Sequence, residues 1–236
     1  MKVVVLAAAA LVLAGCGGGA PEGAVVLAAA SLADVASEVD PEATVVAGGS
    51  NDLAAQIRDG AEADVFLSAS AAPVEELREA GLVAMPAAFA ANRLVLVVST
   101  EVEAGRIEVL ADLARDGVSV VLGAEGVPAG DYAREALAAA GPAGRVDVVS
   151  LEDDVKGVLG KVALGEADAG IVYATDARAA AGKVRPVAIP NELQPEIRYW
   201  AAAVDPPSAR ARAYLERLLG SAGRELLHAA GFEPLR

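Results

Sequence analysis

Cysteine and histidine are almost missing from this chain: Cys16 and His228 are the only ones among 236 residues. A lone cysteine excludes an internal disulfide, and no Cys/His cluster exists to hold a transition metal. Aromatic residues make up 3% of the chain, so the core is mostly Ala, Val and Leu. Positive charge is short as well: 19 Lys and Arg stand against 33 Asp and Glu, a formal net charge of −14. No basic stripe is present to displace counterions, which argues against a nucleic-acid partner. The same field repels an anionic ligand. Screening over ~8 Å at physiological salt limits that penalty, so any anion must be held by short-range donors. The catalytic repertoire is equally thin. His228, near the C-terminus, reads as a surface or packing residue rather than a general base. The Gly-rich turns lack the Lys-Ser/Thr of a P-loop. Asp153-Asp154 and Glu75-Glu76 read as helix-start or solvated-face charges. A serine nucleophile would find no base in evident reach. These absences argue against an enzyme, and no cofactor is expected.

What is present begins with an N-terminal processing signal. Met1-Lys2 is a minimal charged start, and Val3 to Leu13 is an apolar run too short to span a bilayer comfortably. It leads into Leu13-Ala14-Gly15-Cys16, which resembles the lipobox of bacterial lipoproteins. That resemblance implies a signal peptide over 1–15, cleavage before Cys16 and acylation of Cys16. Two or so acyl chains suffice for stable anchoring at the outer face of the cell membrane. Residues 16–23 would form the acylated cysteine and a flexible tether. The plainer alternative is an ordinary signal peptide with an incidental cysteine. Loss of Lys2 leaves 18 basic residues against 33 acidic, near −15.

The rest of the chain, 55% hydrophobic overall, alternates strand and helix, which predicts an α/β fold with mainly parallel sheets covered on both faces. Strands are expected over 25–30, 43–47, 64–68, 94–99, 118–122, 146–149, 169–173 and 198–204. Helices are expected over 32–39, 53–59, 72–80, 109–115, 131–140, 151–164, 176–181, 208–219 and 222–230. Val25 to Asp34 sets the pattern: an apolar strand turns directly into a helix, with Ser31 as N-cap and Asp34 completing a capping box. Such a turn aims free N–H groups and a positive dipole end at one spot, which suits an anion. The turns at 47–53 and 123–131 share this design, and so does 148–155, with Ser150 as cap and Asp153 three residues on. Taken singly, each is a βα turn that caps its own helix. Four in one chain suggest convergence on a shared cleft outside the carboxyl ends of the strands.

The order and spacing of several segments resemble the molybdate-binding proteins of ABC-type uptake systems. The matching segments are Ala29-Ala30-Ser31-Leu32, Gly49-Ser50, Leu53-Ala54-Ala55-Gln56-Ile57, Ala63-Asp64-Val65-Phe66-Leu67-Ser68 and Asn92-Arg93-Leu94-Val95. Val127-Pro128-Ala129-Gly130, Tyr132-Ala133, Glu152-Asp153-Asp154-Val155, Gly170-Ile171-Val172-Tyr173 and Gly231-Phe232 follow. The resemblance implies a two-lobed periplasmic-binding-protein-like fold of type II, each lobe a mainly parallel sheet flanked by helices, with the ligand cleft between them. Lobe I would comprise 24–90 plus 202–236 and lobe II 91–201, with Leu94–Ser99 and Arg198–Val204 as the crossovers. It also implies that molybdate or tungstate is held by the hydroxyls and amides of Ser31 and Ser50, the amides of Ala129 and Val155, and the hydroxyl of Tyr173. Molybdenum would be bound only as the oxyanion. The implied partners are an ABC permease and its ATPase, with the protein itself a monomer outside the cytoplasm.

A fully deprotonated oxyanion only accepts hydrogen bonds, so a cage of neutral donors suits it. On its own, Tyr173 reads as a strand-end tyrosine packed on a sheet. Two residues depart from the family pattern: Asp52 in the second-serine loop, which would either support its helix start or repel the ligand, and Trp200 on the returning strand. The competing readings are a receptor of the same fold for sulfate, phosphate or an organic acid, and a surface lipoprotein that only adheres. An organic-acid receptor usually supplies an Arg, and the matched turns contain none.

Overall fold

The computed structural model describes residues 23–235. The expected signal peptide, Cys16 and most of the tether lie outside the described residues. In chain order the first half forms β1 (Val25–Ala29), α1 (Ala33–Val39), β2 (Thr44–Gly48), α2 (Ser50–Arg58), β3 (Val65–Ser68), α3 (Ala71–Glu79), β4 (Ala87–Asn92) and β5 (Leu94–Ser99). The second half forms β6 (Ser119–Gly123), α4 (Pro128–Ala140), β7 (Asp147–Glu152), α5 (Val155–Ala163), β8 (Ala169–Tyr173), α6 (Ala174–Ala179), β9 (Val184–Ala188), β10 (Ile197–Ala203), α7 (Ala209–Leu219) and α8 (Ser221–Ala230).

These strands make two five-stranded sheets, in the orders β2-β1-β3-β10-β4 and β7-β6-β8-β5-β9. In each sheet one strand runs against the rest: β10 is antiparallel to β3 and β4, and β5 to β8 and β9. Both reversed strands directly follow a passage of the chain from one sheet to the other. The central strands are continuous apolar runs because helices cover both of their faces. β8 is buried throughout, and β5 is buried at every position but Val95. A smaller cluster of Leu27, Leu53, Ile57, Phe66 and Leu77 packs α2 and α3 onto the first sheet.

The boundary between sheets differs from the expected division. β4 passes into β5 through Arg93 alone, and the chain returns through 189–196. β10 therefore lies wholly in the first sheet instead of straddling 201/202, because it finds partners along its length in β3 and β4. Gln194 ties the two passages together: its Oε1 accepts from the Leu94 N–H at 2.8 Å and its Nε2 donates to the Leu94 carbonyl at 2.9 Å. Trp200 sits half-buried opposite Ser68, beside a bulge in the β10–β4 pairing.

Two strands were not legible. β4 reads Ala-Ala-Phe-Ala-Ala-Asn and β9 carries Pro186; both are edge strands held by a neighbour rather than by their own β-propensity. Two expected caps are also replaced. A 3-10 turn over Ala30–Leu32 precedes α1, and the Ser31 hydroxyl makes no capping bond. β7 runs on through Glu152, so Ser150 lies in a strand, where its hydroxyl meets Glu152 at 2.6 Å. The cap of α5 is Asp154, whose carboxylate accepts from the Gly157 N–H at 2.9 Å. Asp154→Ala is therefore expected to lower stability to urea by about 1 kcal/mol, and Ser150→Ala by much less. The reverse order would return the cap to Ser150.

Candidate functional site

The carboxyl ends of β1, β2, β6, β7 and β8 all face the gap between the sheets. The turns that leave them enclose a small hollow of about 20 Å³. All five residues expected at the site, Ser31, Ser50, Ala129, Val155 and Tyr173, line it. Its volume is little more than one water molecule needs, so a guest would touch every wall at once.

Helix starts supply most of the wall. Ser50 and Val155 are the first residues of α2 and α5, and Ala129 follows the opening proline of α4. Helical bonding begins only at Leu53, Asp131 and Val158, which bond back to Gly49, Val127 and Asp154. The amides of Ser50, Ala129 and Val155 thus come before the first intrahelical acceptor is available. Pro128 is suited to its place because a first-turn N–H would have no partner there anyway. Gly130 is required by closeness: a Cβ there would lie 2.2 Å from the Gly123 carbonyl oxygen.

Two of the hydroxyls, Ser50 and Tyr173, are set as donors. Ser50 is buried and its Oγ accepts from the Ala69 N–H at 3.0 Å, which leaves its own hydrogen for the hollow. Tyr173 is 1% exposed, and its hydroxyl has no hydrogen-bond partner among the described residues. Its ring packs edge-on against Tyr199 at 5.8 Å. Burial pushes the phenol well above its ordinary value, so it keeps its proton. Ser31 meets the hydroxyl of Tyr199 at 3.1 Å.

Charge is nearly absent from the walls. The hollow has no Lys or Arg, and its one acid, Asp154, spends its carboxylate on the α5 cap. Asp52 stands exposed in the first turn of α2, outside the lining of the hollow, where it complements the helix dipole. Among the described residues no group of three or more His, Cys, Asp or Glu is placed to hold a metal ion. His228 lies exposed on α8, outside the hollow.

The two lobes meet across the hollow at few points. Asn51 Nδ2 donates to the Gly126 carbonyl, and Lys156 reaches Asp34 at 3.4 Å. A Cβ at Gly49 would lie 2.3 Å from the Asp153 carbonyl oxygen, so only glycine allows this approach.

Beside the hollow, and sharing Ser31 with it, lies a larger cavity of about 540 Å³ between α1, α5, α6 and α8. Asp176 lines it; sequence reasoning had not singled this residue out. Its side chain is buried, with Oδ2 unpartnered among the described residues. Burial pushes its carboxyl up to about 7, with Lys156 opposing and Asp34 and Asp154 adding to the rise. Tyr199 and Asn92 were likewise missed as contributors, since only the tertiary fold brings β10 and the end of β4 to Ser31.

Comparison with known proteins fits this geometry. A family model described as a bacterial extracellular solute-binding protein matches residues 19–233. The molybdate-binding protein ModA of Mycobacterium tuberculosis H37Rv is 39% identical over 188 residues, spanning 78% of this chain and 70% of that one. ModA of Haemophilus influenzae is 31% identical over 252 residues, spanning 98% and 99%. Among solved structures, the periplasmic molybdate-binding protein of Azotobacter vinelandii matches with a TM-score of 0.76 at 21% identity, over 90% of this chain and all (100%) of that one. That likeness gives the two-lobed type II periplasmic-binding fold.

Asp176 makes a test of the site's electrostatics. A carboxyl with a higher pKa folded than unfolded holds its proton more tightly in the native state. Its contribution to stability is therefore greatest below the ordinary value of 3.8, falls as pH rises toward about 7, and is flat above. Asp176→Asn should gain on the parent across that window, reaching on the order of 2–4 kcal/mol at mildly alkaline pH. Urea unfolding over a pH series checks this; a difference that does not change with pH would contradict it.

Proposed function

The chain belongs to the bacterial extracellular solute-binding proteins, and from that premise we propose that it captures molybdate, and tungstate alike, outside the cytoplasm and delivers it to an ABC permease with its ATPase. The observation that carries this reading is the meeting of three helix-start amides and three hydroxyls on one hollow without a cation. A tetrahedral dianion has only lone pairs to offer, and such a hollow has mainly donors to give. Each donor to a charged acceptor contributes about 1.5–3 kcal/mol, so five or six together support tight binding despite the acidic chain. Ser31, Ser50, Ala129, Val155 and Tyr173 are the proposed contacts. Sulfate is smaller and would leave some donors out of reach. Hydrogen phosphate brings a hydrogen that the donor set does not accept. In this reading the protein is a monomeric carrier rather than an enzyme, needs no cofactor beyond its ligand, and is tied to the outer face of the membrane through Cys16.

Isothermal titration of the domain from Gly17 onward with molybdate, tungstate, sulfate and phosphate tests the proposal. Molybdate and tungstate should bind with similar affinity and the other two far more weakly; equal affinity for sulfate would remove the selectivity. Tyr173→Phe should weaken molybdate binding by roughly ten-fold or more, and an unchanged constant would take Tyr173 out of the contact set. Cys16→Ser in the full chain should move the protein from the membrane fraction to the soluble one. Its retention on membranes would rule out the lipid anchor.

A further inference from the structure

We infer that Tyr199 and Asn92 are positioning residues that lock the Ser31 hydroxyl as a hydrogen donor toward the hollow, and so set the discrimination between deprotonated and protonated oxyanions. The inference rests on the oxyanion reading above. Neither residue lines the hollow. Both are buried.

The direction of the chain of bonds follows from counting hydrogens. The Asn92 side-chain oxygen accepts from the Arg93 N–H at 2.9 Å, which fixes the amide so that Nδ2 points the other way. Nδ2 then donates to both its neighbours, Thr175 Oγ1 at 2.9 Å and the Tyr199 hydroxyl at 3.2 Å. Tyr199 has thus accepted one bond and still carries a proton. Burial pushes its phenol far above the ordinary value, so the proton stays. Its ring is enclosed by Phe89, Tyr173 and Phe232, which leaves Ser31 Oγ, 3.1 Å away, as the acceptor. A buried donor without an acceptor is costly, so Tyr199 donates to Ser31 rather than the reverse. One of the two lone pairs of Ser31 is then occupied from within, and its hydrogen, which Tyr199 does not accept, has only the hollow it lines to turn to. Ser50 reaches the same state through the Ala69 amide.

The consequence is chemical selectivity. A free serine hydroxyl rotates to accept from a ligand O–H as readily as it donates to an oxyanion. A serine held this way can accept the hydrogen of hydrogen phosphate only by leaving its own hydrogen unpartnered, and it still serves molybdate as a donor. Asn92 adds a link to closure, because its single Nδ2 bonds Tyr199 on β10 of the first sheet and Thr175 beside β8 of the second, at the point where the chain passes between them.

The test is a double-mutant cycle read by calorimetry, using sodium molybdate and inorganic phosphate at a pH where phosphate is mainly the monohydrogen dianion. Tyr199→Phe keeps the ring and its contacts, and a thermal melt checks that it folds. In the parent background it should weaken molybdate binding about ten-fold, but less than about two-fold once Ser31→Ala is present, since its effect passes through Ser31. The ratio of molybdate to phosphate affinity should narrow in Tyr199→Phe, where the Ser31 rotor is no longer held from within, more than in Ser31→Ala, where no hydroxyl is left to accept. Asn92→Ala, which removes the amide that orients the Tyr199 hydroxyl on Ser31, should narrow the ratio in the same sense and by less than Tyr199→Phe. Equal losses in both backgrounds, or an unchanged ratio in Tyr199→Phe and Asn92→Ala, would overturn the inference. A parent protein that binds none of the oxyanions would instead overturn the functional reading on which it rests.

Discussion

The structure turns on one requirement: the first turns of separate helices gather on the same small hollow, with residues from both sheets lining it. An amide at a helix start has no acceptor of its own, and each one buried without a partner is a cost. Gathering several makes a place where an anion is stabilised without a countercharge. This requirement explains the architecture. Parallel strands deliver the starts of α2, α4 and α5 to one side of each sheet. The strands that follow each passage, β5 and β10, run backward because the chain re-enters from the opposite lobe.

The site is neutral in a strongly acidic protein, and the two facts are compatible because they act at different ranges. The net charge of −14 is a field screened within roughly a Debye length. The donors act at contact distance. Specificity then has to come from which lone pairs and hydrogens remain free, and that is settled by neighbours. Ala69 occupies Ser50, Tyr199 occupies Ser31, and burial keeps the proton on Tyr173.

Beyond the Tyr173–Tyr199 ring contact and the Asn92–Thr175 bond, the polar contacts across the hollow among the described residues are weak. The Lys156–Asp34 pair has side chains 44% and 80% exposed, and pairs of that kind contribute about 0–1 kcal/mol. Asn51 to Gly126 adds one hydrogen bond, and Gly49 against Asp153 is a close approach of backbones. A ligand that bonds to both lobes at once would add to the closing free energy. Gln194 clasps both backbone groups of Leu94 where the two passages run side by side.

The family resemblance supplied the five residues around the hollow; the sequence by itself determined the α/β alternation, the central apolar strands, and the turns at 47–53 and 123–131 that open helices. Those are local signals: a strand period, a glycine or proline before a helix, a serine at the turn. It misplaced what depends on neighbours. β4 and β9 are strands because an adjacent strand pairs with them, not because Ala-rich or Pro-containing segments favour extension. Ser31 and Ser150 have the composition of caps, yet Tyr199 and Glu152 compete for their hydroxyls in space. Asp52 is exposed and not part of the hollow's lining, Asp176 lies buried beside it, and Tyr199 meets Asn92 from 107 residues away. Only the tertiary structure decides such matters, because a hydroxyl's partner and a carboxyl's burial are set by whichever element packs against it, and no local pattern records that.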